Sequence, residues 1–352
     1  MASFSRSALT RLFVLAGIWG CSFLFIKVAL EGLAPAQVVL GRMLGGSAVL
    51  FATVAVRRER LSTLRPVWRH VVFVSLVANL LPFTLLTWGE QRIASGQAGV
   101  LNATTPLCTV LLALAALPDE RLSRSRLLGL LVGFSGVVFV VAPWDSGGGR
   151  VSISGQLACL GAAASYAVAI TWTKRYLSPS GLPPVVLAAG QIGCGAVLLL
   201  LVSPLVAADP VDLPWRVLAC VALLGVFGTG IAYILFYGLI AEVGATSASL
   251  VTYLAPVVAV AMGVVVLGEH LGWNLFVGAA IVILGVAVTD GRIRLPGARR
   301  RGVTVTEPSS LGDERREPRR AAGCEVLDEA RVALGEADVV EPLEEPPLRE
   351  VV

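Results

Sequence analysis

The sequence predicts an all-α membrane protein in which ten transmembrane helices form two inverted five-helix repeats, followed by a disordered C-terminal tail. Three observations support this fold class. First, 56% of the 352 residues are apolar and only 15% are charged, whereas soluble domains average about 25% charged residues. Second, the chain contains ten apolar runs, each close to the roughly 20 residues that a helix needs to cross a bilayer. Third, the two halves of the chain resemble each other.

The ten apolar runs are separated by short segments rich in charges, Pro, Gly or Ser, such as "DERLSRSR" and "PWDSGGGR". The predicted helices span residues 11–30, 36–56, 70–90, 95–117, 125–142, 153–173, 183–204, 214–237, 245–268 and 272–289. A cleaved signal peptide is the alternative for the first run. Its apolar stretch exceeds the roughly 7–15 residues of such a peptide and contains Lys27, so we expect a transmembrane helix.

The similarity between the two halves is clearest between residues 94–122 and residues 245–271. In this register Pro106 corresponds to Pro256, which lies 150 positions later. Similarity that extends across half of a chain indicates an internal duplication.

The duplication predicts two domains, residues 11–142 and residues 153–289. Each contains five predicted helices, an odd number, so the second copy must enter the membrane from the opposite side. Inverted repeats of this kind occur in many secondary transporters, which bind their substrate between the repeats near the membrane midplane. The duplication therefore favours a carrier that opens alternately to the two sides of the membrane.

The distribution of positive charges predicts the orientation. With the N-terminus inside, 17 Lys and Arg residues fall in the inner segments and the start of the tail, and three fall in the outer loops. Because cytoplasmic loops carry the excess of Lys and Arg, we expect both termini to be cytoplasmic in the plasma (inner) membrane.

The predicted tail, residues 290–352, differs sharply in composition from the rest of the chain. It contains 11 Arg and 14 acidic residues and no aromatic residue, so it cannot bury enough apolar surface to fold alone. We expect a disordered cytoplasmic tail. Its length supports an alternative function, a non-transporting membrane scaffold or sensor that acts through the tail. The pI of the whole chain is near 8.9, but it combines a basic membrane part with an acidic tail. It therefore does not indicate nucleic-acid binding.

Several features together resemble the EamA-type transporters of the drug/metabolite transporter (DMT) superfamily. They are "IWGCSFLFIK" in the first span, Pro106 and Pro256, and the Glu-Arg-Leu and Glu-His-Leu corners before the fifth and tenth spans. The resemblance covers residues 11–289 and implies an inner-membrane carrier of small metabolites or drugs, usually an exporter. It implies a small-molecule substrate in a lipid bilayer, no cofactor, and a monomer or homodimer. A lipid-linked-sugar flippase of similar fold stays open as an alternative.

Enzyme signatures do not occur in the sequence. It contains no HExxH, GxSxG or GxxxxGK[ST] motif, which would indicate a zinc peptidase, a hydrolase or a P-loop nucleotidase. We therefore expect neither an enzyme nor a metal site.

Candidate cavity residues are polar or aromatic side chains inside predicted spans. They are Trp19, Arg42, Asn102, Tyr166, Gln191 and Tyr253. Arg42 and Gln191 occupy corresponding repeat positions, 149 apart. Pro106 and Pro256 predict helix kinks, because proline lacks an N–H and clashes with the carbonyl four residues earlier. Packing, or snorkelling in the case of Arg42, is the alternative role for these side chains.

The acidic residues suggest how transport is driven. All ten in residues 1–289 fall in loops or at the ends of predicted spans, whereas a proton relay usually places a carboxylate inside the membrane. The sequence therefore disfavours coupling through a buried carboxylate. Facilitated movement, or coupling through groups near the rim such as Glu90, remains possible.

Overall fold

The computed structural model describes residues 5–116, 123–142, 152–244 and 248–293. Within these ranges all regular secondary structure is helical. The α-helices are α1 (Arg6–Ala29), α2 (Pro35–Val56), α3 (Trp68–Ser75), α4 (Leu81–Glu90), α5 (Ser95–Asn102), α6 (Thr105–Ala116), α7 (Arg124–Val141), α8 (Ile153–Trp172), α9 (Pro184–Val206), α10 (Trp215–Gly225), α11 (Ala232–Val243), α12 (Val251–Val265) and α13 (Trp273–Thr289). The tail from residue 294 onward and the Glu-Arg-Leu corner lie outside the described residues.

The helices have the length and composition of membrane spans. Eight continuous helical segments are long and apolar enough to cross a bilayer, and α12 and α13 are two shorter apolar helices. The predicted all-α class is thereby confirmed. Large apolar side chains also cover the outer surface, for example Leu201 at 72% and Leu205 at 86% exposure. Apolar surface of this kind is stable against lipid rather than water.

Close glycine contacts bring α7 and α13 together. A Cβ atom on Gly136 would lie 2.9 Å from the Gly278 carbonyl oxygen, and one on Gly278 would lie 2.9 Å from the Gly136 carbonyl oxygen. Such distances are below an ordinary contact, so only glycine fits at both positions. Small residues that let helix backbones approach are typical of helix pairs in membranes.

Three of the long segments contain a π-helical turn. One of these turns, Thr173–Leu177, follows α8 near the end of its segment; the other two lie near the centre of their segments and are called the first and second π-helical turns. Leu76–Leu80 joins α3 to α4, and Val226–Ile231 joins α10 to α11. The first residues of these turns lie 150 positions apart, the same offset that relates the two prolines. π-Helical turns inside α-helices are rare and occur frequently at functional sites.

The two prolines act differently from each other. Pro256 lies inside α12, as the predicted kink requires. Pro106 is the second residue of α6, directly after a turn at residues 103–104 that interrupts an otherwise continuous helical span. Proline is tolerated in the first turn of a helix, where its missing N–H needs no partner. The Asn102 carbonyl instead accepts a hydrogen bond of 2.7 Å from the Thr105 hydroxyl.

Candidate substrate-binding site

Two buried polar pairs lie at the centre of the helix bundle. Arg42 on α2 donates from Nε to the Thr229 hydroxyl oxygen at 3.0 Å, and Thr229 belongs to the second π-helical turn. Gln191 on α9 accepts at Oε1 from the Asn79 amide nitrogen at 3.3 Å, and Asn79 belongs to the first π-helical turn. Arg42 and Gln191 are 149 positions apart, and Asn79 and Thr229 are 150 apart. The two pairs therefore repeat one arrangement.

The backbones around these pairs repeat the same arrangement with different residues. The Ser75 hydroxyl donates to the Gln191 carbonyl oxygen at 2.6 Å. At the position 150 residues later, a Cβ on Gly225 would lie 3.2 Å from the Arg42 carbonyl oxygen. The first contact is a hydrogen bond and the second is a close approach of a glycine. Each holds a segment with a π-helical turn against a helix that carries a polar side chain, α9 with Gln191 or α2 with Arg42.

Aromatic rings form the wall beside the pairs. The Arg42 guanidinium carbon lies 3.8 Å from the centroid of the Phe83 ring, a cation–π contact. Tyr233 donates its hydroxyl to Asn79 Oδ1 at 2.9 Å. Tyr166 packs against the apolar cluster that contains Phe83. The centre of the bundle thus combines one cation, neutral hydrogen-bonding groups and aromatic surface.

The Arg42 side chain keeps unused donors. A guanidinium has five N–H groups, and Thr229 is its single hydrogen-bond acceptor among the residues that the structure describes. Arg42 is only 8% exposed, and the titratable groups that interact with it electrostatically are Tyr166, Tyr233 and Glu90. A buried guanidinium with free terminal N–H groups can bind a carboxylate through two parallel hydrogen bonds.

Three of the predicted cavity residues meet at this site, and three lie elsewhere. Arg42, Tyr166 and Gln191 belong to it. Trp19 instead packs on Phe236, with ring centroids 5.2 Å apart. Tyr253 donates its hydroxyl to Asp290 at 2.7 Å, at the C-terminal end of α13. The Asn102 side-chain oxygen is buried and has no hydrogen-bond partner within the described residues.

Sequence reasoning missed Asn79 and Thr229. Both are completely buried, and each provides the partner of a predicted site residue. The signal was present as the 150-residue offset between two polar residues in otherwise apolar runs. It was weak because neither residue is charged.

A second polar feature lies at the C-terminal end of α4. Lys27 on α1 donates from its ammonium nitrogen to the carbonyl oxygens of Glu90 at 2.5 Å and Ile93 at 2.8 Å. Cations are favourable near the carbonyl end of a helix. Lys27 thus has a defined role in joining α1 to α4, beyond reaching toward the membrane surface. A cleft of about 310 Å³ adjoins it, lined by Lys27, Leu30, Glu31, Glu90 and Gln91.

Comparison with known proteins identifies the class. Residues 7–142 and 153–289 each match the sequence model of the EamA-like transporter family. These matches cover most of the chain, and the chain belongs to the EamA-like transporter family. It is therefore a multi-pass membrane transporter of the drug/metabolite transporter superfamily, as the sequence resemblance indicated.

Individual relatives are similar over nearly their whole length. An uncharacterized transporter, YoaV of Bacillus subtilis, is 26% identical over 76% of this chain and 91% of its own. A probable terminal-alkyne amino-acid exporter of Streptantibioticus cattleyicolor is 28% identical over 78% of this chain and 90% of its own. A protein of known crystal structure is 25% identical, with a TM-score of 0.57 over 81% of this chain and 98% of that protein.

Proposed function

We propose that the protein is a secondary transporter that exports small organic molecules bearing a carboxylate across the plasma (inner) membrane by alternating access. Arg42 and Gln191, with Asn79 and Thr229, form the substrate site. The observation that carries this proposal is the pair of equivalent polar contacts at the centre of the bundle.

The proposed architecture has ten transmembrane helices in two inverted repeats, residues 11–142 and 153–289. The segments α3–α4, α5–α6 and α10–α11 each count as one span in this scheme. Support comes from the family model, which matches the chain twice in succession, and from the two π-helical turns at the same offset.

Each polar contact joins one proposed repeat to the other. Arg42 of the first repeat bonds to Thr229 of the second, and Asn79 of the first bonds to Gln191 of the second. Contacts that are equivalent in the two repeats allow two states of similar energy, one open to each side. A substrate bound between them is exposed to either side as the halves rock.

The charge of the site selects the class of substrate. Arg42 offers unused N–H donors in an otherwise neutral and aromatic surrounding, which suits a single carboxylate with an apolar or aromatic remainder. Small amino acids and their derivatives fit this description. The named amino-acid exporter among the relatives supports the same class and the outward direction.

The proposed orientation has both termini in the cytoplasm, which the excess of Lys and Arg in the inner segments supports. The cleft beside Lys27 and Glu90 then faces the outside. Apart from residues 290–293, which the structure describes, the tail is proposed as a disordered cytoplasmic segment that transport does not require, and the protein acts as a monomer or homodimer.

The test is counterflow into proteoliposomes preloaded with pooled amino acids, followed by single compounds. We expect counterflow of carboxylate-bearing aromatic or apolar solutes and not of the matching amines that lack the carboxylate. R42Q should lower the rate at least tenfold. R57Q is the matched control, because Arg57 is exposed at the end of the same helix, and it should transport like the wild type. Equal transport by R42Q and R57Q would reject the assigned site.

A further inference from the structure

Glu90 is buried in a way that the substrate site does not explain. It is the last residue of α4 and has 0% exposure. Neither carboxyl oxygen has a hydrogen-bond partner among the described residues. The sequence places this residue at the end of a span, as predicted, but the fold covers its carboxyl group completely. An unpartnered group of this kind costs free energy, which points to a role other than packing.

The charged groups around Glu90 come from several elements and each has another partner. Lys27 of α1 directs its hydrogen bonds to backbone carbonyls rather than to the Glu90 carboxyl group. Arg42 of α2 is bonded to Thr229. Glu269, which follows α12, accepts from the backbone N–H groups of Ser95 at 2.7 Å and Gly96 at 3.2 Å. Glu90 therefore lies between two cations and one anion without a direct partner.

The remaining neighbours are a thiol and an exposed carboxylate. Cys159 of α8 is buried and interacts electrostatically with Glu90. Glu31, on the cleft wall, forms an ion pair with Arg216 at 2.5 Å. Neither donates a hydrogen bond to the Glu90 carboxyl group, so nothing in its described surroundings compensates a negative charge at contact distance.

The cleft of about 310 Å³ that Glu90 helps to line supplies a route from water. Because the carboxyl oxygens are covered, an organic solute in the cleft cannot touch them in this conformation. A proton needs only a short chain of water molecules and a small movement. An ionised carboxylate without donors is strongly disfavoured in such a place, whereas the same group is stable as a carboxylate once water or a cation reaches it.

We propose that Glu90 is the proton-binding site that couples solute export to the inward flow of protons. In the state that opens outward, the carboxylate accepts a proton from a hydronium ion in the cleft: the hydronium O–H bond breaks and leaves water, and an O–H bond forms on the carboxyl group. In the state that opens inward, that bond breaks, its electron pair stays on the carboxylate, and the proton passes to cytoplasmic water. This inference rests on the proposed transport function and adds its energy source.

The proposed coupling agrees with one alternative that the sequence left open. The sequence disfavoured a carboxylate buried inside a span but allowed coupling through a group near the rim such as Glu90. The fold adds the enclosure of the Glu90 carboxyl group, which sequence position alone did not reveal, and an electrostatic interaction with Arg42 through which protonation and substrate binding can influence each other.

The test measures the steady-state ratio of solute concentrations across the membrane with and without a pH gradient in the same proteoliposomes. For the wild type and a gradient of about one pH unit we expect this ratio to rise toward about ten, the thermodynamic limit when one solute exchanges for one proton. For E90Q we expect this ratio to fall to one while counterflow remains measurable. D209N, an exposed acid in the loop before α10, is the control and should keep the wild-type ratio.

The outcomes separate this inference from the proposed function. Counterflow without gradient dependence in the wild type would overturn the coupling and leave the transporter intact, whereas no counterflow from folded protein would overturn the transport proposal itself. A gradient-dependent E90Q would also reject the role of Glu90. If E90Q does not fold, E90D, which keeps a carboxyl group, and E90M, which does not, provide the same comparison, and equal ratios for both would contradict the proposal.

Discussion

The glycine contact between α7 and α13 gives a sharp prediction of stability. A Cβ atom on Gly285 would collide with the backbone nitrogen and Cα of Gly133 and lie 2.8 Å from the Gly129 carbonyl oxygen. All of these neighbours are backbone atoms, so no side chain can rotate away. G285A should therefore push the two helices apart along their contact.

The size of the effect follows from the required movement. Carbon and oxygen atoms approach to about 3.3–3.6 Å in weak hydrogen bonds, so the helices must separate locally by an appreciable fraction of an ångström or more. Overpacking of this kind costs about 1–3 kcal/mol. An unfolding entropy of about 2.1 cal/mol/K per residue gives about 1.4 °C per kcal/mol for a chain of this size, so the melting temperature should fall by about 1–4 °C.

Thermal unfolding of purified protein in detergent measures this shift. G17A is the matched control, because a Cβ on Gly17 of α1 would meet nothing within 4 Å. Replacing glycine by alanine in a helix stabilises it by up to about 1 kcal/mol, so G17A should melt at or slightly above the wild-type temperature. A G285A protein that melts as high as G17A would refute the close approach of α7 and α13.

Three further substitutions test the polar contacts by the same assay. T229V leaves the buried Arg42 guanidinium without its acceptor and should cost about 1.5–3 kcal/mol, the range for hydrogen bonds to charged groups. Y233F removes only a neutral bond to Asn79 and should cost about 0.6 kcal/mol, the average for such bonds in membranes; the reverse order would contradict the assigned contacts. K27M removes two charge-assisted bonds to carbonyls at the end of α4 and should destabilise the protein more than Y233F.

Much of the fold was accessible from the sequence because a bilayer imposes simple rules. The apolar runs predicted most ends of the helical segments to within a few residues, since each segment must be about as long as the membrane is thick, but the segment Leu61–Glu90 begins nine residues before the predicted start at residue 70. The repeat offset also linked Arg42 with Gln191, and the structure places both in equivalent buried contacts. The shared offset of Arg42 and Gln191 therefore predicted their common site better than either residue did alone.

Other features depend on packing and leave little trace in composition. The π-helical turns need one additional residue per turn, which does not change the apolar character of a run. Glu90 lies at the end of a span by position, and its burial results from α1 and neighbouring helices that cover it. The turn at residues 103–104 just before Pro106 was not predicted, because Ala103 and Thr104 give no strong signal for interrupting a helix.

The first and second π-helical turns also indicate which came first, the additional residue in the helix or the proposed duplication. One additional residue rotates everything that follows it by about 100° around the helix axis, so Phe83 and Tyr233 face the centre only because each segment carries the insertion. Since both segments have it at the same offset, the proposed duplication copied a helix that was already rotated. On this proposal, the ancestral unit already contained the additional residue. The residues at positions 79 and 229 then became different, Asn79 and Thr229, while both segments kept the same rotation about the helix axis.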